Sequence, residues 1–224
     1  MRSRAEEAIT TPIVTSPPRV TRRALQADAK EERRQRILAA AEKVLLAAPH
    51  REIGMAEVAQ AAELAKGTVY LYFPSKDELL LALHERQVED LFRALLQASE
   101  AGRLDFEGVL ELVDRHALSS PLYLPLAVRC LASLDAAVPS AVRSAYKARV
   151  SAHLKQTGHA LEQHFAGLDS GGGASLLFSS YSLILGMWQL LSPDDAHPYP
   201  LDFRRDVEQA LRALWRGRVA PPSN

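Results

Sequence analysis

Several features are scarce in this 224-residue chain, and each scarcity argues against a class of protein. The single cysteine, Cys130, excludes an intramolecular disulfide and is typical of proteins in a reducing compartment. It lies in an apolar run, so we expect a buried, unreactive thiol. HExxH, CxxC and phosphate-loop motifs are missing. Because these motifs are missing, we do not expect an enzyme, and we expect no catalytic residues, metal or cofactor.

Three histidines, His153, His159 and His164, fall on one predicted helix at spacings of six and five residues. Metal-binding pairs on a helix use spacings of three or four, which bring both rings to one face. We therefore expect these histidines to be solvated or structural.

Long apolar runs and signal segments are also missing. The most apolar segment, 175–191, has only 17 residues and includes several serines and a glutamine. A membrane span needs about 20 apolar residues, so we expect a buried helix and no membrane partner. The first 20 residues contain acidic residues and prolines but no apolar core. A cytoplasmic location is the expectation.

Helical periodicity is what the chain has in abundance, with no alternating strand pattern of useful length. Hydrophobic residues make up 47% of the chain, enough for a core. The sequence predicts an all-α protein. Outside the stretch 55–73, the predicted helices cover approximately 30–48, 75–100, 105–119, 122–137, 140–166, 174–191 and 201–216, separated by prolines and by the glycine run 171–173.

Charge is balanced overall, with 27 basic and 27 acidic residues, but the two ends differ. Residues 1–76 carry 13 basic and 9 acidic side chains, whereas residues 77–224 carry 14 and 18. An excess of basic residues in the amino-terminal part is typical of a protein that binds DNA at one end. Residues 1–28 resemble a disordered tail that ends in Arg19, Arg22 and Arg23. These arginines could enter a minor groove or simply solubilise the tail.

The stretch 55–76, MAEVAQAAELAKGTVYLYFPSK, contains two short helical pieces with a bend at Glu63 and Leu64. Small residues around the bend let two helix backbones approach closely. This arrangement predicts a helix-turn-helix, whose second helix can lie in a DNA major groove. Ser75 and Glu78 predict a capping box at the start of the next helix.

The second piece carries side chains suited to DNA. Lys66 can reach a phosphate or a guanine edge, and Gly67 leaves the backbone free to approach the groove. The hydroxyls of Thr68, Tyr70 and Tyr72 suit phosphate oxygens, as does the ammonium of Lys76.

At these residues the chain resembles the TetR family of bacterial transcriptional regulators. The family pattern is Ile-Ala, two residues, Ala-Gly-Val-Ser, one residue, Gly, then Tyr-x-Tyr-Phe and a lysine three residues later. Residues 37–46 also fit the first helix of the family. The chain matches the pattern, with Val58 and Leu64 as conservative replacements, at Ala59, Ala62, Gly67, Tyr70, Tyr72, Phe73, Lys76 and Leu79.

The chain departs from the pattern at three places. Glu63 replaces the usual turn glycine, and Ala65 replaces a serine that would cap the second helix. Losing that cap costs about 1 kcal/mol. Ile53 and Gly54 stand where members often carry threonines that contact phosphate.

The resemblance implies a helix-turn-helix domain over 29–76 and a helical ligand-binding and dimerisation domain over 77–219. It implies that Lys66, Gly67 and Leu71 face base edges, and that Thr68, Tyr70, Tyr72 and Lys76 hold phosphates. It also implies a homodimer through the last two helices and a cavity for an unidentified small-molecule effector. Polar residues within apolar runs are candidates to hydrogen-bond a ligand in that cavity: His116, Tyr123, Arg129, Tyr181 and Gln189. The aromatic rings of Phe178 and Trp188 are candidates for its walls.

The sequence thus predicts a homodimeric repressor that leaves its DNA operator on binding a small molecule. One alternative is an activator or co-regulator on the same fold. Another is a helical enzyme or carrier in which the helix-turn-helix is vestigial.

Overall fold

The computed structural model describes residues 22–48, 51–190 and 202–219. Every regular element in these ranges is helical, which confirms the predicted class. The elements are α1 (Arg22–Ala47), α2 (Met55–Ala61), α3 (Lys66–Tyr72), α4 (Lys76–Glu100), α5 (Phe106–Val113), a π-helical segment (Asp114–Leu118), α6 (Tyr123–Ala137), α7 (Ser140–His164), α8 (Gly172–Leu190) and α9 (Phe203–Arg216).

The chain divides into two compact units, residues 1–35 and residues 36–224. In the described part of the first unit, Gln35 Nε2 donates to Glu31 Oε1 at 2.7 Å and Arg34 lies 3.7 Å from the same carboxylate. Helix α1 begins at Arg22, whereas the sequence predicted its start near Lys30. Pairs of charged and polar side chains three and four residues apart support this first part of α1, which buries no apolar residue among those described. The rest of the predicted tail, residues 1–21, lies outside the described residues.

The first helices of the second unit share one core. Ile37, Leu38, Ala41 and Leu45 form the apolar face of α1, as predicted, and all four are buried. The same cluster continues into α2, α3, the start of α4 and α6; its members include Val58, Ala62, Val69, Phe73, Leu79, Leu83, Leu126 and Cys130. The short helices α2 and α3, which would be unstable alone, are therefore held by tertiary packing.

Helix α4 joins this first core to a second one. It has 25 residues and spans about 37 Å. Its first part packs in the cluster just described, whereas Val88, Phe92 and Leu95 belong to the second cluster. Helices α5 to α9 complete the second cluster around Trp215 of α9, whose Nε1 donates to Ser180 Oγ of α8 at 3.0 Å.

The predicted helix 105–119 changes type along its length. After Asp105 caps α5 by accepting from the N–H of Gly108 at 2.8 Å, α5 ends at Val113. From Asp114 the chain is π-helical, and the N–H of Ser119 donates to the carbonyl of Asp114 at 2.7 Å. Such wider turns are often found beside functional sites.

The glycine run 171–173 was predicted to separate two helices, but only Gly171, with φ of 85°, lies outside α8. Gly173 is helical because α7 and α8 cross closely there. A Cβ on Gly173 would lie 2.1 Å from the carbonyl oxygen of Gly158, and one on Gly158 would lie 2.3 Å from the nitrogen of Ala174. These two glycines therefore allow backbone-to-backbone contact between the helices.

In the described part of the chain, no helix combines the length and apolarity that a membrane crossing requires. Helix α8 includes residues 175–190 of the apolar segment and buries only one side, against α7 and α9, whereas the sequence predicted a buried helix. Its other side leaves Phe178 60% exposed.

Candidate nucleic-acid interface and ligand cavity

The bend between α2 and α3 has the hydrogen bonds of a Schellman motif. The N–H of Leu64 donates to the carbonyl of Ala59 at 2.9 Å, and the N–H of Glu63 donates to that of Gln60 at 3.1 Å. Glu63 holds the left-handed position with φ of 55°, where glycine is usual. The predicted consequence of the missing glycine is therefore present: a residue with a Cβ occupies a conformation that costs about 1–2 kcal/mol.

The caps of α3 and α4 differ in the way the sequence predicted. Ala65 is the N-cap of α3 and supplies no side-chain hydrogen bond. Ser75 is the N-cap of α4, and its Oγ accepts from the N–H of Glu78 at 3.1 Å. The Ser75 hydroxyl also lies 3.5 Å from Glu78 Oε1 and donates to it. Thus α4 has a strong cap, whereas the first N–H groups of α3 have no side-chain partner from their cap.

One face of α3 anchors the helix and the other is open. Val69 is fully buried and Phe73, just after the helix, is 3% exposed. On the outward side Leu71 is 83% exposed and Tyr70 is 40% exposed. The ammonium of Lys66 lies 5.8 Å from the ring centroid of Tyr70, within reach of a cation–π interaction. Among the residues that the structure describes, none packs over the exposed side chains of Tyr70 and Leu71.

Gly67 lies in the first turn of the same exposed helix. A Cβ built there meets no atom within 4 Å. Glycine in a helix costs about 0.5–1 kcal/mol relative to alanine, and the packing around Gly67 does not require a glycine. A role outside the fold is therefore the better explanation for Gly67. The free space beside its backbone allows another molecule to approach α3 closely.

The remaining predicted contacts lie at the edges of α3. Thr68 and Tyr72 are half-buried, and the Tyr72 ring packs against the first core. The Nζ of Lys76 lies 3.1 Å from Glu52 Oε2, and Arg129 of α6 lies 3.3 Å from the other carboxylate oxygen. The hydrogen bond from Lys76, with the positive charges of Lys76 and Arg129, lowers the pKa of Glu52. Lys76 thus has an exposed carboxylate partner in the free protein.

Ile53 and Gly54, the third departure, serve the fold. Ile53 is buried, and Gly54 is the N-cap of α2. The N–H of Gly54 donates to Glu57 Oε2 at 3.1 Å, and Arg51 binds the other oxygen at 2.6 Å. The hydrogen bonds from Arg51 and Gly54 lower the pKa of Glu57. Of the predicted basic arm, Arg19 and the side chains of Arg22 and Arg23 lie outside what the structure describes.

A cavity of about 430 Å³ lies among α4, α6, α7 and α8, next to the π-helical segment. Its walls are predominantly apolar, as is usual for small-molecule sites. It opens to solvent beside Leu131, Lys147 and Phe178, the exposed members of its lining. The apolar lining includes Val88, Leu91, Phe92, Leu95, Val113, Ala117, Val150, Leu154, Leu177 and Ile184.

Three of the residues predicted for a ligand site line this cavity: Tyr123, Tyr181 and Phe178. His116 and Arg129 do not. His116 is half-buried in the π-helical segment, and the guanidinium of Arg129 binds Glu52 instead. The additional candidates also lie elsewhere: Trp188 packs edge-on against Phe203 at 5.1 Å between centroids, and Gln189 is exposed.

His84 and Tyr146 line the same cavity and were missed at the sequence level. His84 is 1% exposed, and its Nδ1 lies 3.2 Å from the Tyr146 hydroxyl. Burial lowers the pKa of His84 to about 4, so its ring is neutral at pH 7. Burial raises the pKa of Tyr146 and of Tyr123, and that of Tyr181 to about 12. A signal was present, because His84 lies four residues from both Leu80 and Val88, on their buried face.

The other titratable groups considered from the sequence have ordinary roles. His153 stacks on Phe92 at 6.0 Å between centroids, and His159 lies 3.6 Å from Glu162. Within the described ranges, no three residues of metal-ligating type are grouped. Cys130 is buried as predicted, and burial raises the pKa of its thiol to about 12.

Comparison with known proteins agrees with this architecture. The family model described as bacterial regulatory proteins, tetR family, matches residues 37–83. The model described as tetracyclin repressor-like, C-terminal domain, matches residues 82–222, which is more than half of the chain.

Individual relatives match this chain over part of their length. The chain is 31% identical over 121 residues to the HTH-type transcriptional repressor KstR of Mycolicibacterium smegmatis, covering 53% of this chain and 59% of KstR. It is 38% identical over 69 residues to the HTH-type transcriptional activator FasR of the same organism, covering 31% of this chain and 32% of FasR. The matches thus span less than two thirds of either relative.

Among solved structures, Thermus thermophilus FadR, a TetR-family transcriptional repressor in complex with lauroyl-CoA, shares the fold. Its TM-score is 0.56 at 20% identity, over 85% of this chain and 98% of that one. The helix-turn-helix geometry, the helical domain behind it and both family models lead to one assignment: this chain belongs to the TetR family of bacterial transcriptional regulators.

Proposed function

We propose that the chain is a homodimeric repressor that binds a DNA operator through α3 and releases it when a small molecule occupies the cavity. The observation that carries the DNA-binding part is the outward face of α3. There Lys66, Tyr70 and Leu71 are exposed and Gly67 leaves open space, while Val69 fixes the helix from the other side. A helix held in this way can enter a major groove without deforming its own core.

On this proposal Lys66, Gly67 and Leu71 face base edges, and the hydroxyls of Thr68 and Tyr70 bind phosphates. Tyr72 and Lys76 also bind phosphates. The half-burial of Tyr72 makes it a positioning contact, with its ring packed in the core and its hydroxyl left for the DNA backbone. When DNA binds, Lys76 replaces its ion pair with Glu52 by a contact with a phosphate, at small cost because Glu52 is exposed.

The proposed dimer forms through α8 and α9. Helix α8 carries two large apolar side chains that are exposed: Phe178, beside the cavity opening, is 60% exposed, and Leu190, at the end of the helix, is 72% exposed. Large exposed apolar side chains on one helix are typical of an interface. Two copies related by a two-fold axis then present two α3 helices to two half-sites about one turn of DNA apart.

Coupling between ligand and DNA follows from shared helices. Helix α4 begins with Lys76, and its residues from His84 to Leu95 line the cavity. His84 lies about 12 Å from Lys76 along the helix axis. Helix α6 carries Leu131 in the cavity wall and Arg129 on Glu52. A ligand that binds one arrangement of these helices more tightly shifts the population toward it and changes the spacing of the two α3 helices.

The test begins with selection of bound fragments from random DNA, followed by fluorescence anisotropy on the selected operator. We expect Tyr70→Ala to weaken operator binding at least about tenfold, a loss of about 1.4 kcal/mol. Tyr70→Phe, which keeps the ring beside Lys66, is the matched variant and should lose less. Sedimentation should give twice the 24.6 kDa chain mass for all three proteins. Tyr70→Ala binding as tightly as the parent would overturn the assignment of α3.

Activation is the second candidate, because the relatives that the chain matches include FasR, named an activator, as well as KstR, named a repressor. A reporter gene placed behind the selected operator decides between them. Expression that falls when the protein is supplied supports repression, and expression that rises supports activation.

A further inference from the structure

The cavity is polar at one end and apolar at the other. His84 of α4, Tyr123 of α6, Tyr146 of α7 and Tyr181 of α8 meet at the polar end; the ring centroids of His84 and Tyr123 are 5.6 Å apart and those of His84 and Tyr146 are 6.4 Å apart. The opposite end is built on α4 around Leu95. These ends are separated by about 16 Å, because His84 and Leu95 are eleven residues apart on one helix.

The polar end has unused hydrogen-bonding capacity. The Nε2 of His84 is buried and has no partner among the residues that the structure describes. The hydroxyls of Tyr123 and Tyr181 bond to none of the residues that the structure describes. Buried polar groups are normally paired, so this end is completed by a partner from outside the chain.

The chemistry of the His84–Tyr146 pair suits a hydroxyl. If the Tyr146 hydroxyl donates to Nδ1, then Nε2–H remains a donor and Tyr146 Oη an acceptor. If Nδ1–H donates to Oη, then Nε2 remains an acceptor and the Tyr146 hydroxyl a donor. Each tautomer leaves one donor and one acceptor, which is what a hydroxyl both needs and provides.

Charge argues against an anion at this end. His84 is neutral, because burial lowers its pKa to about 4. Among the described lining residues, the one that carries a charge at neutral pH is Lys147, and it is exposed at the opening. A carboxylate at the inner polar end would be desolvated without a cation beside it, at high cost.

We propose that the effector is an uncharged, elongated, apolar molecule with a hydroxyl group that binds at the end formed by His84, Tyr123 and Tyr181. The proposal rests on the cavity being the effector site of the proposed function. Straight-chain alcohols are the simplest members of this class.

The experiment measures binding to the full-length protein by calorimetry, without DNA, for n-decanol, decyl methyl ether and decanoate. The ether keeps an acceptor oxygen but lacks the hydroxyl proton, and decanoate adds a charge. We expect n-decanol to bind about tenfold more tightly than either, the effect of one buried hydrogen bond with a good partner.

The Tyr123→Phe, Tyr181→Phe double variant keeps both rings and removes both hydroxyls. It should weaken n-decanol binding more than ether binding and thus reduce the preference for n-decanol at least about threefold. Lys155→Ala, on α7 but outside the cavity lining, is the control variant and should leave n-decanol binding unchanged.

Tighter binding of decanoate or of the ether would overturn the proposal, as would the absence of binding by all three compounds. Operator release is measured separately by anisotropy. If n-decanol binds as expected but does not release DNA, the ligand class stands and the proposed regulation fails.

Discussion

Replacing Gly67 by alanine should stabilise the fold and weaken DNA binding. A Cβ at this position meets no atom within 4 Å, so the fold offers no steric resistance. Alanine is favoured over glycine in a helix by about 0.5–1 kcal/mol. Gly67 is the second residue of α3, so we take the lower value, about 0.5 kcal/mol, which raises the melting temperature by about 1–2 °C in a chain of this size. The new methyl group occupies the space that the proposal gives to DNA.

The assay combines thermal unfolding at fixed protein concentration with anisotropy on the selected operator. Gly217→Ala is the matched control, because Gly217 is a helix C-cap with φ of −76° and a Cβ there makes only ordinary contacts. Both variants should melt slightly above the parent, but only Gly67→Ala should lose operator affinity, by about tenfold or 1.4 kcal/mol. Unchanged affinity in Gly67→Ala would refute the close approach of DNA to α3.

Four further changes follow from the same structure. Glu63→Gly should stabilise the protein by about 1 kcal/mol relative to Glu63→Ala, because both remove the charge but only glycine relieves the left-handed strain; equal urea midpoints would contradict this. Ala65→Ser should add about 1 kcal/mol by capping α3, measured in the same way. Lys76→Ala should reduce the slope of log affinity against log salt by about one unit, and an unchanged slope would exclude a phosphate contact. Because burial holds the folded-state pKa of His84 at about 4, below its unfolded value, its contribution to stability is complete above pH 6.5 and is lost as pH falls toward 4. Between pH 6.5 and 4.5 the free energy of unfolding should therefore fall by about 2–3 kcal/mol more in the parent than in His84→Phe, measured by urea titration at each pH.

Local patterns predicted the parts of this molecule that local interactions decide. The cap at Ser75, the missing cap at Ala65 and the bend at Glu63 each depend on residues within a few positions, and all three were predicted. The glycine run was misassigned because its role is not local. Gly173 is helical only because Gly158, on another helix, allows the backbone of α8 to come into contact with α7.

The cavity could be predicted only in part for the same reason. Aromatic residues in apolar runs indicated Tyr123, Tyr181 and Phe178, and these three residues line the cavity. The pairing of His84 with Tyr146 joins residues 62 positions apart and depends on how α4 crosses α7. Periodicity indicates that His84 faces inward, but it does not indicate what lies opposite.

The position of Arg129, which differs from the one predicted, bears on the proposed release of DNA. It was expected to bind the ligand, yet it shares Glu52 with Lys76, and two positions later Leu131 forms part of the cavity wall. If a ligand moves α6 and withdraws Arg129, Glu52 interacts with Lys76 alone and competes better with a phosphate. Exposed ion pairs contribute only about 0–1 kcal/mol, which changes DNA affinity less than tenfold. A shift from 99% of one state to 99% of the other needs about 5.5 kcal/mol. On the proposed mechanism the ion pair can therefore adjust the response, but most of the switching energy comes from the position of α4 and the resulting distance between the two α3 helices of the proposed dimer.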